Sequence, residues 1–67
     1  MQERPLYRFR SGNTYSGQWL GNQRHGLGTQ RWFDGAVYYG SWQGNMAHGL
    51  GRFVHSDGDV YRWAVEL

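Results

Sequence analysis

Aromatic residues recur at every second position in several short stretches of the chain. The first stretch contains Tyr7 and Phe9, and the second contains Tyr15, Gly17 and Trp19 at alternate positions. An alternation with a period of two is typical of a β-strand that has one apolar face. The sequence shows neither an apolar stripe with a period of 3.6 residues nor a capping box, so no helix is predicted.

Turn-forming dipeptides follow the first strand of each predicted pair. They are Ser11-Gly12, Asp34-Gly35 and Asp57-Gly58. Asp-Gly favours a hairpin because glycine accepts a positive φ and aspartate can bond its own backbone. The second strands are expected at 14–19, 37–42 and 60–63, which gives two complete hairpins and the start of a third.

A glycine-rich segment follows each completed hairpin. Residues 21–28 and 44–51 each read Gly-Asn, two variable residues and then His-Gly-Leu-Gly. Because glycine is disfavoured in both helices and strand interiors, we predict that each segment is a return turn leading to the next hairpin.

The whole pattern is copied at a constant offset of 23 residues, since residues 15–28 match residues 38–51. A fixed period in this range is the signature of a stacked repeat array. The sequence therefore predicts an all-β fold, an elongated twisted solenoid of antiparallel β-hairpins with about two and a half repeats. We place the repeats at about 5–27 and 28–50, with a partial copy at 51–67, in a single domain spanning 1–67.

The composition excludes several classes of protein. The 67 residues include no cysteine, so neither a disulfide nor a thiolate metal site is available. The seven basic residues are all arginine and the net charge is only +2, which argues against nucleic acid as a partner. No stretch approaches the ~20 apolar residues of a membrane span, and no signal peptide is evident. A cytoplasmic location is expected.

The polar residues suggest no reaction. His25 and His48 are equivalent in successive repeats, about 10 Å apart in a stack of hairpins, which is too far to share a metal ion. The interpretation we favour is that each histidine bonds turn backbone. Asp34 and Asp57 are equivalent turn residues, and no serine has the histidine and aspartate spacing of a nucleophilic site. The sequence indicates no enzyme, no catalytic residue, no metal and no cofactor.

The repeated motif resembles that of a known family. Tyr-x-Gly-x-Trp, then His-Gly-x-Gly, then Asp-Gly-x-x-Tyr, at a 23-residue period, is similar to the MORN (membrane occupation and recognition nexus) repeat. The resemblance covers residues 5–63 and implies an all-β solenoid that acts as an adaptor or scaffold. It also implies that a partner protein, sometimes a helix, binds in an aromatic-lined groove, and that membrane or phosphoinositide association occurs in some members.

Aromatic residues that are not repeated are the candidates for binding. Phe33, Tyr39 and Trp63 have no aromatic counterpart in the other copies, and Arg8 and Arg31 lie on the strand face opposite Tyr7 and Phe9. Exposed aromatic residues beside arginine are typical of interface hot spots. We expect Phe33, Tyr39, Trp63, Arg8 and Arg31 to form a protein-binding surface; the other interpretation is that the aromatic residues cover the ends of a short array.

Three other partners are considered: a membrane surface, single-stranded nucleic acid and a second copy of the chain. A peripheral membrane or phosphoinositide-binding module, using Arg8, Arg31 and Arg24, is the alternative function, although a polybasic patch usually needs four or more cations. Binding of single-stranded nucleic acid by stacking would need cations interleaved with aromatic rings on one face, whereas Arg8 and Arg31 lie on the face opposite the rings. Two and a fraction repeats leave open sheet edges, so we expect a homo-oligomer formed through an edge, or a piece of a longer array.

Overall fold

The fold is a single open antiparallel sheet, seen in a computed structural model that describes residues 2–58 and 60–65, with side chains for 2–58. The strands are β1 (Gln2–Arg8), β2 (Thr14–Leu20), β3 (Gln23–Arg31), β4 (Val37–Gln43), β5 (Met46–Val54) and β6 (Val60–Val65). They lie side by side in chain order. The described residues form no helix long and apolar enough to span a membrane. The predicted all-β fold of antiparallel hairpins is confirmed.

Three equivalent turns connect β1 to β2, β3 to β4, and β5 to β6. In each turn a glycine N–H donates to a carbonyl three residues earlier: Gly12 to Phe9, Gly35 to Trp32 and Gly58 to His55, at 3.0, 3.0 and 2.9 Å. The three glycines have φ of 94°, 99° and 97°. Residues other than glycine rarely adopt these angles. The hairpins predicted from Ser-Gly and Asp-Gly are therefore confirmed.

The predicted return turns at 21–28 and 44–51 are wrong for most of their length. Only Gly21-Asn22 and Gly44-Asn45 form turns, and the His-Gly-Leu-Gly segments lie within β3 and β5. Both strands are paired on two sides, although their register with the preceding strand shifts at this point. The glycines are tolerated in these strands because aromatic rings from the neighbouring strand lie on them, as described below.

The core consists of aromatic rings on one face of the sheet. Tyr15, Trp19, Tyr38 and Trp42 are buried, and Phe9, Trp32, Ala47 and Phe53 pack against them. Edge-to-face contacts link Trp19 to Tyr15, Tyr15 to Trp42, and Trp42 to Tyr38, with ring centroids 5.1, 5.6 and 5.2 Å apart. Such aromatic pairs contribute about 0.5–1.5 kcal/mol each beyond the area they bury. The sequence-predicted shared face of the Tyr-x-Gly-x-Trp motif is confirmed.

Each core tyrosine lies over a glycine of the next strand. A Cβ atom added at Gly28 would overlap the ring and hydroxyl of Tyr15, and one added at Gly51 would overlap Tyr38 in the same way. From this position the Tyr15 hydroxyl donates to the Gln18 carbonyl at 2.7 Å, and the Tyr38 hydroxyl donates to the Ser41 carbonyl at 3.1 Å. The missing glycine side chain makes the space that buries the ring.

Replacing Gly28 with alanine is therefore expected to displace the Tyr15 ring and to lower the free energy of unfolding by about 2–3 kcal/mol. Gly21→Ala is the matched control, since a Cβ at Gly21 meets nothing within 4 Å and only the φ of 61° is strained. That strain costs about 1 kcal/mol. Urea unfolding followed by tryptophan fluorescence measures both. Equal losses in the two variants would contradict the ring-over-glycine packing.

Candidate functional site

The strand register assigns side chains to two faces of the sheet. Successive partners on one face, which we call the aromatic face, are Tyr7, Tyr15, Gln30, Tyr38 and Phe53. The next register row, Arg8, Thr14, Arg31, Val37 and Val54, lies on the opposite side, which we call the back face. These two rows therefore differ in chemistry, with mostly aromatic rings in one and mostly arginine and aliphatic residues in the other.

An open groove of about 320 Å³ lies at the β1 end of the aromatic face. Its walls combine aromatic rings with arginine and amide side chains: Arg4, Pro5, Tyr7, Phe9, Trp19, Asn22, Arg24 and Asn45. Tyr7 is 50% exposed, and its ring contacts those of Phe9 and Trp19 at 4.9 and 5.7 Å. The groove thus extends the buried aromatic core to the surface of the sheet.

Arg4 forms one side of the groove. Its guanidinium lies 5.3 Å from the centre of the Trp19 ring and donates to the Gly21 carbonyl at 2.7 Å. The Trp19 Nε1–H is buried with no hydrogen-bond acceptor, whereas the equivalent Trp42 Nε1–H donates to the Gly28 carbonyl at 3.2 Å. An unsatisfied buried donor costs about 1–3 kcal/mol. The hydrogen bonding around Trp19, beside the groove, is therefore less complete than around the equivalent Trp42.

Arg24 holds the start of β3 to the turn between β4 and β5. Its backbone N–H donates to Asn45 Oδ1 at 2.9 Å, its Nη2 donates to the Asn45 carbonyl at 2.9 Å, and its Nη1 donates to Gln30 Oε1. The guanidinium also lies 4.8 Å from the Trp42 ring centre. Burial lowers the pKa of Arg24, and the nearby Tyr15 phenol opposes that shift. Arg24 is thus part of the folded sheet.

The structure brings together three of the five residues predicted to bind a partner and places Phe33 elsewhere. Arg8 and Arg31 both pair in register with Thr14 on the back face, and Tyr39 lies on the same face. Phe33 is 78% exposed in the turn after β3, where its N–H donates to Asn13 Oδ1. The side chain of Trp63 lies outside the described residues, although its backbone pairs with Gly51 in the row of the aromatic face.

The contacts of Asp34, His25 and His48 are those of residues that support the fold. Asp34 Oδ1 accepts a hydrogen bond from the Ala36 N–H at 3.0 Å, which confirms its turn-forming role. The Nδ1 atoms of His25 and His48 are buried without a hydrogen-bond partner, so the expected bond to turn backbone is not made at these atoms. Among the described residues, no group of three histidine or acidic side chains could hold a metal ion.

Sequence reasoning missed Arg4, Arg24 and Asn45 as members of one region. The available signal was internal comparison, because Arg24 aligns with Ala47 and Arg4 aligns with Leu27 in the next copy. The grouping of Arg24 with Arg8 and Arg31 was wrong, because the Arg24 guanidinium lies beside aromatic rings on the opposite face of the sheet.

The contacts of Arg24 predict that this residue contributes more to the stability of the fold than Arg31 does. Arg24→Ala removes hydrogen bonds made by a charged group, so it should lower the free energy of unfolding by about 1.5–3 kcal/mol. Arg31→Ala, at an exposed position of the same strand, should change it by less than about 0.5 kcal/mol. Urea denaturation of both variants checks this, and equal stability of the two would remove the structural role assigned to Arg24.

The core tyrosines predict a loss of stability at alkaline pH. Burial raises the pKa of Tyr15 and of Tyr38 above the ordinary value of 10.0, while the positive charge of Arg24 opposes the shift at Tyr15. Because the unfolded chain releases these protons first, the stabilisation is complete below pH 10 and falls as pH rises further. Unfolding measured from pH 8 to 11 should show this fall, with a shallower slope in Tyr15→Phe. An unchanged slope would contradict it.

The comparison with known families agrees with this arrangement of strands. The family model for the MORN repeat matches residues 15–37 and residues 38–60, which together make up more than half of the chain. Both matches contain the Tyr-x-Gly-x-Trp and His-Gly-Leu-Gly motifs whose rings and glycines pack together in the sheet. No curated protein matches the chain. The chain belongs to the MORN repeat family.

Proposed function

We propose that this chain is a non-enzymatic adaptor or scaffold module that binds a peptide or helix of a partner protein on its aromatic face. The observation that carries the proposal is the groove beside β1, where the half-exposed Tyr7 and the Arg4–Trp19 pair surround an open volume of about 320 Å³. Concave sites with apolar walls and a few polar groups are where binding usually occurs. MORN repeats are in general binding modules, which agrees with this assignment.

The types of residue in the groove support a protein partner. Tyrosine, tryptophan and arginine dominate the energetics of protein interfaces because each combines a large contact area with a polar group. Tyr7, Trp19 and Arg4 lie together here, on and beside an edge strand. A partner segment can therefore cover Tyr7 and reach the free edge of β1 without disturbing the buried rings.

The alternative is a peripheral membrane or phosphoinositide-binding module, and it has less support. This alternative depends on Arg8, Arg31 and Arg24, but the Arg24 guanidinium donates hydrogen bonds to Asn45 and Gln30 on the aromatic face. Among the residues whose side chains the structure describes, the strand arginines of the back face are Arg8, Arg31 and Arg52, fewer than the four or more cations of a typical lipid-binding patch. In this alternative the location is peripheral to a membrane, whereas the adaptor function suits a cytoplasmic protein.

The proposal includes the wider architecture. We infer that the sheet is a section of a twisted solenoid of hairpins, because long turns at 9–13 and 32–36 alternate with two-residue turns in register. β1 is paired on one side only, and an open edge can pair with another strand. A second copy of the chain is therefore a further candidate partner, through sheet edges rather than through the groove.

Photo-crosslinking tests the protein-binding function. A photoreactive residue in place of Tyr7 should give a discrete protein adduct in cells of the native source. The same residue in place of Ser56, exposed in the turn before β6, should not. Vesicles containing phosphatidylserine should bind neither the wild-type chain nor an Arg8→Ala, Arg31→Ala variant. Binding to vesicles that is lost in that variant, with no adduct at position 7, would replace this proposal with the lipid alternative.

A further inference from the structure

The back face carries large apolar side chains that the fold does not bury. Leu27 is 64% exposed and Leu50 is 75% exposed, and the two are equivalent positions of successive repeats. Each follows the glycine of a His-Gly-Leu-Gly segment and precedes the glycine that receives a tyrosine ring, so it points away from the aromatic core. Single exposed leucines are ordinary on protein surfaces, but contiguous apolar patches mark interaction sites.

The register shows that these leucines belong to one patch. Leu27 pairs with Ser41 on β4, and Leu50 lies on β5, the other neighbour of that strand. The two leucines are thus two strands apart, or about 10 Å. Tyr39, 40% exposed, lies two residues before Ser41 on the same side of β4. Leu27, Ser41, Leu50 and Tyr39 therefore form one patch on the back face, with the small Ser41 side chain at the point where the β4–β5 register shifts.

Two arginines lie at the Tyr39 end of this patch. The Arg52 guanidinium lies 5.6 Å from the centre of the Tyr39 ring, and Arg31 lies on the same face, two residues beyond Thr29, the β3 partner of Tyr39. The sequences of β3, β4 and β5 contain no aspartate or glutamate. A second copy seated on this face would bring like charges together, which is unfavourable. The face is instead complementary to a partner that carries carboxylates.

Backbone hydrogen bonding favours a helix on this face. β3, β4 and β5 each have a strand on both sides, so their backbone groups are already paired within the sheet. An extended segment lying on the face would find no backbone partners there, and its own N–H and C=O groups would lose water. A helix satisfies these groups internally, and with side chains it is about 10–12 Å wide, close to the spacing of the two leucines.

We propose that the back face docks an amphipathic helix of a partner protein, with the apolar stripe of the helix between Leu27 and Leu50 and its flanking carboxylates near Arg31 and Arg52. The contact is separate from the groove, so one chain can hold two segments, one on each side of a sheet one layer thick. Such a two-sided arrangement suits a scaffold, but this docking does not depend on occupancy of the groove.

A designed peptide tests the docking. The probe is about 18 residues long, or about 27 Å when helical, with leucine along one stripe and glutamate on both flanks. Titration of the isotope-labelled chain, followed by amide NMR shifts, should locate binding at Leu27, Tyr39 and Leu50. The same peptide with lysine in place of each glutamate should bind at least about tenfold more weakly, which corresponds to a loss of about 1.4 kcal/mol of binding free energy.

Variants of the chain complete the test. The double variant Leu27→Ser, Leu50→Ser removes exposed side chains, so it should keep the fold. It should weaken binding of the glutamate peptide about tenfold or more. Phe33→Ser, a matched loss of an exposed apolar side chain in a turn, should bind as the wild type does. Absence of binding at about 1 mM peptide, equal binding of the lysine peptide, or shifts confined to the Tyr7 groove would each overturn the proposal. Loss of groove binding in Tyr7→Ala leaves the expected result here unchanged.

Discussion

The contact between a tyrosine ring and a glycine of the next strand is the constraint on which the sheet depends. A single-layer sheet has no second layer to cover its apolar face, so its rings must be buried against its own backbone. The Tyr15 ring achieves this over Gly28 and the Tyr38 ring over Gly51, and both hydroxyls still find carbonyl acceptors. The tryptophans then pack edge-on against these tyrosines, which joins the two repeats into one core.

This way of forming a core leaves both faces of the sheet available for other contacts. On the aromatic face, the rings continue past the buried core to the half-exposed Tyr7, where the groove begins. On the back face, the leucines of the repeated segments project outward because the glycines beside them serve the core. The motif that stabilises the sheet therefore also determines which residues are exposed on its two faces.

Local chemistry made the hairpins predictable, while long-range packing made other parts of the structure unpredictable. The Ser-Gly and Asp-Gly turns need only a glycine with a positive φ, so the sequence predicted them correctly. The His-Gly-Leu-Gly segments were mistaken for turns because intrinsic preference gave no weight to a ring lying on the glycine. The Arg24–Asn45 contact joins residues 21 positions apart, and the register of β1 shifts between Arg4 and Tyr7 beside the groove, and neither feature has a local signature.

The most direct test of the central claim is a double-mutant cycle between Tyr15 and Gly28. The free energy of unfolding is measured in urea for the wild type, Gly28→Ala, Tyr15→Leu and the double variant. If the ring occupies the space above the glycine, alanine at position 28 should cost much less in the Tyr15→Leu background, with a coupling of at least about 1 kcal/mol. Costs that add to within about 0.5 kcal/mol would show that the ring and the glycine act independently, and would contradict this account of the fold.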